Sequence, residues 1–308
     1  MFMVCGEALM DVFATGDTAT GVALDARVGG SPYNVALGLA RLAQPVSFFG
    51  SVSRGFLGER LMRFLANEGV NLATVQRTDA PTTLGLVGLD EKGVPSYAFY
   101  GEGCADRLLT AEALAAVPTG LRAINFGSFT TVTEPTASTL RALVERERGR
   151  TLIAYDPNVR LNVEPKLEPW REFVQWMQPR TDLLKVSDED LHLLFPGLAI
   201  ADFAAQSLAQ GVKLVIVTRG AEGAVGWTAT QHISVPPVKV TVVDTVGAGD
   251  TFQAATLTWL AEHDALSAAA LQGLTTAQLT DALTFAARAA AITCSRRGAD
   301  LPRRAELN

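Results

Sequence analysis

The chain predicts an α/β protein, with a mainly parallel central sheet between two helical layers and a small second sheet beside it. Short apolar runs recur at Val46-Ser47-Phe48-Phe49, Ala123-Ile124-Asn125-Phe126, Leu152-Ile153-Ala154-Tyr155, Leu183-Leu184-Lys185-Val186 and Leu214-Val215-Ile216-Val217, separated by helix-length segments. Runs this continuous suit strands buried on both faces, and ligands then bind beyond the strands' carboxyl ends. Two stretches break the alternation. Val12 to Val28 and Thr83 to Tyr100 are rich in Thr, Gly, Val and aromatics, with turn signals at Thr15-Gly16-Asp17 and Glu91-Lys92-Gly93. They predict hairpins pairing as a separate sheet, able to act as a lid that excludes water.

Composition narrows the function classes. The 308 residues are 48% hydrophobic and 19% charged with a net charge of -6, an enzyme-like profile lacking the dense basic face that nucleic acid or an acidic membrane requires. Cys5, Cys104 and Cys294 are far apart and show no CxxC spacing, so neither a disulfide framework nor a zinc site is indicated, and a reducing cytoplasm is expected. Glu7 and Asp11 stand where a signal peptide would be apolar, and the apolar helix candidate Ala282 to Cys294 is short and interrupted by Arg288. No membrane segment is expected.

Taken in order, the first strand is Phe2-Met3-Val4-Cys5, and Asp11 beyond it offers an acceptor-only carboxylate suited to a pair of hydroxyls. Gly29-Gly30-Ser31-Pro32-Tyr33-Asn34 then leads into an apolar helix, which Ser31 is expected to cap and Pro32 to begin. Asn34 in the first turn can form paired donor and acceptor bonds to vicinal hydroxyls, while Gly29 and Gly30 allow close approach to the backbone. Gly127-Ser128, Asp156-Pro157-Asn158-Val159-Arg160, Ser187-Asp188-Glu189-Asp190 and Thr218-Arg219-Gly220 each follow a predicted strand. The acidic cluster also fits a helix N-terminus behind a Ser187 cap. Tyr97, Phe99 and Tyr100 can stack on a sugar or nucleotide, or Tyr97 and Phe99 can pack one face of the lid. His192, His232 and His263 lack metal-like spacing and read as structural.

The most informative run is Asp244-Thr245-Val246-Gly247-Ala248-Gly249-Asp250, expected to turn from a strand over Val238 to Val243 into a small-residue helix. Amides at a helix start lack intrahelical partners and carry the positive end of the dipole, so a phosphoryl group can dock on Gly247, Ala248 and Gly249. Asp250 beside them is placed to take the proton of an attacking hydroxyl. The plain alternative is a capped helix with glycines that only turn the chain.

The segments at 29–34 and 244–250 together resemble the ribokinase-like, or PfkB, family of sugar kinases. The similarity extends through Gly6-Glu7, Asp156 to Arg160, Thr218 to Gly223 and Arg297-Gly298-Ala299, so it spans nearly the whole chain. Within the family the chain is most similar to bacterial fructokinases. The resemblance implies a single ribokinase-like domain over 1–308, three-layer α/β/α, with a lid from segments about 12–28 and 83–104 that often serves as a homodimer interface. It also implies ATP-dependent phosphorylation of a primary hydroxyl, fructose to fructose 6-phosphate, with Asp250 as base and Gly247, Ala248 and Gly249 as anion hole. Asp11, Gly29, Gly30, Asn34, Phe99 and Arg160 would hold the sugar. Lys185, Thr218, Gly220, Gly223 and Gly249 would lie along the nucleotide. Mg2+ is implied near Glu189 or Asp190, and K+ near Asp244 and the carbonyls of Val246 and Gly298.

The chain departs from the family pattern at Ser187-Asp188-Glu189-Asp190, where many relatives carry Asn-x-x-Glu, and at Ala287, where an Asn often approaches the adenine. Alternatives are 2-keto-3-deoxygluconate kinase, with Arg160 pairing a carboxylate, ribokinase, and a non-catalytic sugar-binding regulator. A regulator would have lost Asp250 or the glycines. A nicotinamide dehydrogenase would need Gly-x-Gly-x-x-Gly after the first strand, and Gly6-Glu7-Ala8 is not that.

Overall fold

The computed structural model describes residues 1–89 and 95–307. The turn expected at Glu91-Lys92-Gly93 and the side chain of Tyr97 lie outside what is described. In chain order the strands are β1 (Phe2–Cys5), β2 (Leu9–Asp17), β3 (Val22–Gly29), β4 (Val46–Phe49), β5 (Ser51–Ser53), β6 (Gln76–Thr78) and β7 (Leu84–Leu89). They continue as β8 (Pro95–Tyr100), β9 (Ala123–Gly127), β10 (Leu152–Asp156), β11 (Leu183–Ser187), β12 (Leu214–Thr218), β13 (Ala224–Trp227) and β14 (His232–Val235). The main sheet has eight strands in the order β14-β13-β12-β11-β10-β9-β1-β4. Its six strands from β12 to β4 are parallel, and β13 and β14 are antiparallel additions.

The apolar runs are continuous because both faces of this sheet are covered. In β1, Phe2 and Val4 belong to one core, while Met3 and Cys5 belong to the other. The same period of two divides Leu152 and Ala154 from Ile153 and Tyr155 in β10. The helices are α1 (Ser31–Arg41), α2 (Phe56–Asn67), α3 (Thr136–Glu147), α4 (Leu167–Met177), α5 (Asp188–Leu194), α6 (Ile200–Ala209), α7 (Ala248–Glu262), α8 (Ala268–Gln272) and α9 (Thr276–Cys294). The first core holds residues of α1, α7 and α9, and the second those of α3, α4 and α6. None of these helices is long and apolar enough to cross a membrane.

The two irregular stretches form the smaller sheet, ordered β3-β2-β7-β8, with β2 and β7 parallel at its centre. Thr15-Gly16-Asp17 is not the turn. Those residues continue β2 past an irregularity between Ala14 and Gly16, and the chain reverses where Thr18 N donates to Gly21 O at 2.7 Å.

A larger correction concerns Val238 to Val243, which form no strand. Pro236 and Pro237 directly after β14 remove two backbone donors, and the segment leaves the sheet edge with Val242 and Val243 about 60% exposed. The amides of Val243 and Asp244 turn instead to Cys294 O, at 2.8 and 3.2 Å.

Helix α7 packs against both α1 and α9 and is buried continuously from Asp250 to Ala261. Small residues let α1 lie close against it: a Cβ on Gly38 would stand 2.7 Å from Ala254 Cβ. One turn nearer the amino end of each helix come Asn34 and Asp250, so this contact carries the first turns of α1 and α7 together.

Candidate active site

Asp250 is 8% exposed, and both its oxygens are held. Ser31 Oγ donates to Oδ1 at 2.6 Å and Asn34 Nδ2 donates to Oδ2 at 2.8 Å. Burial pushes its carboxyl above the usual range, against the pull of Ser31, Asn34, Arg160 and Lys185. Gly247 is the N-cap of α7 at φ 78°, left-handed backbone that suits glycine, and a Cβ there would meet Ala299 Cβ at 2.7 Å. The N–H of Ala248 turns back to Thr245 O at 3.2 Å. Of the three amides expected to face a phosphate, that of Ala248 is thus engaged within the turn, while those of Gly249 and Asp250 lie in the first turn of α7.

Lys185 closes the other side of this helix start, since its Nζ lies 3.5 Å from the position of a Cβ on Gly249. It is 3% exposed and pairs at 2.5 Å with Asp156 Oδ2, while Asp156 Oδ1 is buried without a hydrogen-bond partner. Asp190 lies alongside. Its amide donates to Ser187 Oγ at 3.0 Å, as the capping pattern predicts, and its Oδ1 accepts from Val159 N at 3.1 Å, pinning the Asp156 to Arg160 loop. Burial first, then Asp156, pushes the Asp190 carboxyl up to about 6.

Glu189 points elsewhere, lining a surface hollow of about 660 Å3 with Asp188 and His192. The structure thus separates the two carboxylates that the sequence left equivalent. No group of three metal-ligating side chains occurs among the described residues. Two oxygen donors, Asp190 and the unpartnered Asp156 Oδ1, nonetheless fit Mg2+ held jointly with phosphate oxygens.

The sugar candidates gather around Asp11. Burial raises its carboxyl to about 6, opposed by Arg160 and reinforced by Asp250 and Asp244. Gly29 and Gly85 make room for it: a Cβ at either would stand 2.1 Å from Asp11 Oδ2 or 3.0 Å from Oδ1. Gly29 therefore clears space for a side chain of the protein itself. Phe99 shares this wall, edge-on to Phe129 at 6.0 Å, and Arg160 is exposed with Nη1 on Val159 O.

Thr218 ends β12 opposite Ser187, and Gly220 and Gly223 bracket the short turn after it, on the Lys185 side. Asp244 clamps two loops, accepting from Val246 N at 3.1 Å and Gly298 N at 2.7 Å. His232 and His263 stack on Trp227 and Trp259, as structural histidines do.

Two further site residues escaped the sequence. Ser31 does not cap its helix, because Gly30 is the N-cap and the Ser31 hydroxyl goes to Asp250. Glu7, 1% exposed, accepts from Ser31 N at 3.3 Å and Thr130 Oγ1 at 3.1 Å, and burial pushes its carboxyl up to about 7. Its place in the Gly6-Glu7 segment shared with the family was the signal in the sequence, although no role followed from it.

A parallel sheet beside a bare helix start and a buried, doubly held carboxylate fits one class, the phosphotransferases with an alcohol as acceptor. The chain belongs to the pfkB family of carbohydrate kinases, whose model matches residues 1–305. It is 36% identical over 257 residues to a fructokinase of Rhizobium leguminosarum bv. trifolii, covering 83% of this chain and 78% of that one. Among solved structures it is similar to the fructokinase of Xylella fastidiosa with bound ATP, at TM-score 0.88, 28% identity, and 99% and 96% coverage. It is also similar to the fructokinase of Vibrio cholerae O395 in its fructose, ADP and calcium ion bound form, at TM-score 0.81, 26% identity, and 99% and 97% coverage.

Proposed function

We propose that the protein transfers the γ-phosphoryl group of ATP to the primary hydroxyl of fructose, giving fructose 6-phosphate and ADP. The observation that carries this is the buried Asp250 carboxylate, oriented by two donors at the helix start where Gly249 and Lys185 face each other. Asp250 takes the hydroxyl proton as the oxygen bonds to phosphorus and the bond to the ADP oxygen breaks. The first-turn amides of α7 and the Lys185 ammonium hold the charge on the transferring group. Asp190 and Asp156 would hold Mg2+, which would supply charge neutralisation at the phosphates. Asp11, Asn34 and Arg160 orient the sugar, and the relatives' names select fructose.

An ADP-release assay over fructose, 2-keto-3-deoxygluconate, ribose, adenosine and fructose 6-phosphate, with and without K+, tests the assignment. Fructose is the expected substrate. Asp250→Asn should lower kcat by about 10²–10⁴-fold while calorimetry shows fructose binding changed only a few-fold. Near-normal turnover in that variant would refute the base.

The same reading makes the smaller sheet a lid and its outer face a homodimer contact, because Val22 and Leu24 are 55% and 56% exposed on β3. Sedimentation should return twice the 32.7 kDa chain mass. A monomer at assay concentration removes the contact. ATP as co-substrate, with three cysteines free of disulfides, supports a cytoplasmic setting.

A further inference from the structure

Ser31 opens α1, yet its side chain caps no amide of that helix. Its hydroxyl reaches across to α7 and donates to Asp250 Oδ1 at 2.6 Å, the shorter of the two bonds on that carboxylate. The backbone beneath it is fixed from the opposite side. Glu7 Oε1 accepts the Ser31 amide at 3.3 Å, and Glu7 Oε2 is engaged by Thr130 Oγ1 at 3.1 Å. Gly30, at φ 104°, presses so closely on the segment between β1 and β2 that a Cβ would stand 2.9 Å from Glu7 O. The turn therefore has little freedom to swing the hydroxyl away.

We propose that Ser31, anchored by Glu7, is a positioning residue for the base: its hydroxyl orients the Asp250 carboxylate and donates to its negative charge. The proposal rests on the assignment of Asp250 as base. Asn34 from α1, Arg160 from the loop after β10 and Lys185 from β11 face the same carboxylate and favour its charge, while Asp11 from β2 adds an acidic neighbour. Burial opposes all the favourable groups. Among the described residues, Ser31 supplies one of two side-chain hydrogen bonds to Asp250 that offset it, and a bond to a charged acceptor in such a place is among the strong ones.

The test is kcat against pH, between about pH 5 and pH 9, at saturating fructose and ATP, for the wild type, Ser31→Ala, Ser31→Thr and Asp250→Asn. Loss of the hydroxyl should move the acidic limb of Ser31→Ala up by about one pH unit or more, cutting turnover near the old limb about tenfold and restoring it in base. Ser31→Thr, which keeps a hydroxyl, should keep the wild-type limb. An unmoved limb in Ser31→Ala, or a limb in Ser31→Thr displaced as far as in Ser31→Ala, overturns the role of the hydroxyl. Sustained turnover in Asp250→Asn would instead remove the base itself, an outcome separable from the other two.

Discussion

At the scale of single residues, the site depends on charges that water does not reach. Lys185 and Asp156 are 3% and 5% exposed and form an ion pair deep in the sheet. Replacing Lys185 by Met should leave the carboxylate buried without its counter-charge, a loss of about 3–5 kcal/mol. Urea unfolding of Lys185→Met and of the double variant with Asp156→Asn would show this, the second change recovering part of the loss. Equal stability of the single variant and wild type would mean that water or a rearranged neighbour reaches Asp156. Neither partner announces the pair in the sequence, because they lie 29 positions apart and either could have faced solvent. What the sequence does expose is Asp250, since an acid after two glycines at a helix start is unusual chemistry on its own.

At the scale of elements, α7 presents its first turn to the ligand side through residues that differ in what they tolerate. Gly247 needs left-handed backbone and has no room for a methyl, whereas a Cβ at Gly249 meets only Lys185 Nζ at 3.5 Å. Gly249→Ala should therefore fold, with helix stability unchanged or raised by up to about 1 kcal/mol. The added methyl would stand between the amides and Lys185, and kcat/KM for ATP should drop by about tenfold or more. Thermal melting beside steady-state kinetics separates the two effects, and full activity in a well-folded variant would place the phosphate elsewhere. The strands were legible as apolar runs because each is buried on both faces. Val238 to Val243 misled because valine spacing marks a strand only where a neighbour offers free backbone, and two prolines carry this segment off the sheet edge.

Across the whole molecule, buried acids set how stability depends on pH. Glu7 is pushed up to about 7, and Asp11, Asp106 and Asp190 to about 6, burial being the first cause in each. A carboxyl whose pKa is higher folded than unfolded favours folding while protonated. That contribution is complete below the unfolded value near 4 and is lost as pH rises through about 6 to 7. The urea midpoint should therefore be higher at about pH 5.5 than at about pH 8, with Glu7 alone accounting for about 2 kcal/mol, because part of its contribution is already lost by pH 5.5. Glu7→Gln should shrink the difference. A midpoint that climbs over this interval would show that these groups ionise freely in the folded chain.

The chain's own residues specify the layered α/β architecture, the separate small sheet, the glycine-rich helix start and the acid beside it. Each is written in local pattern, in apolar period, glycine placement and turn chemistry. Only the tertiary structure decided which groups meet. It chose Asp190 over Glu189 for the cleft, drew Ser31 from its own helix to Asp250, and set Lys185 between Asp156 and Gly249. Those pairings follow from how closely α1 and α7 approach over Gly38 and Ala254 and from the register of parallel strands. Both are properties of packed surfaces, which no single stretch of chain contains.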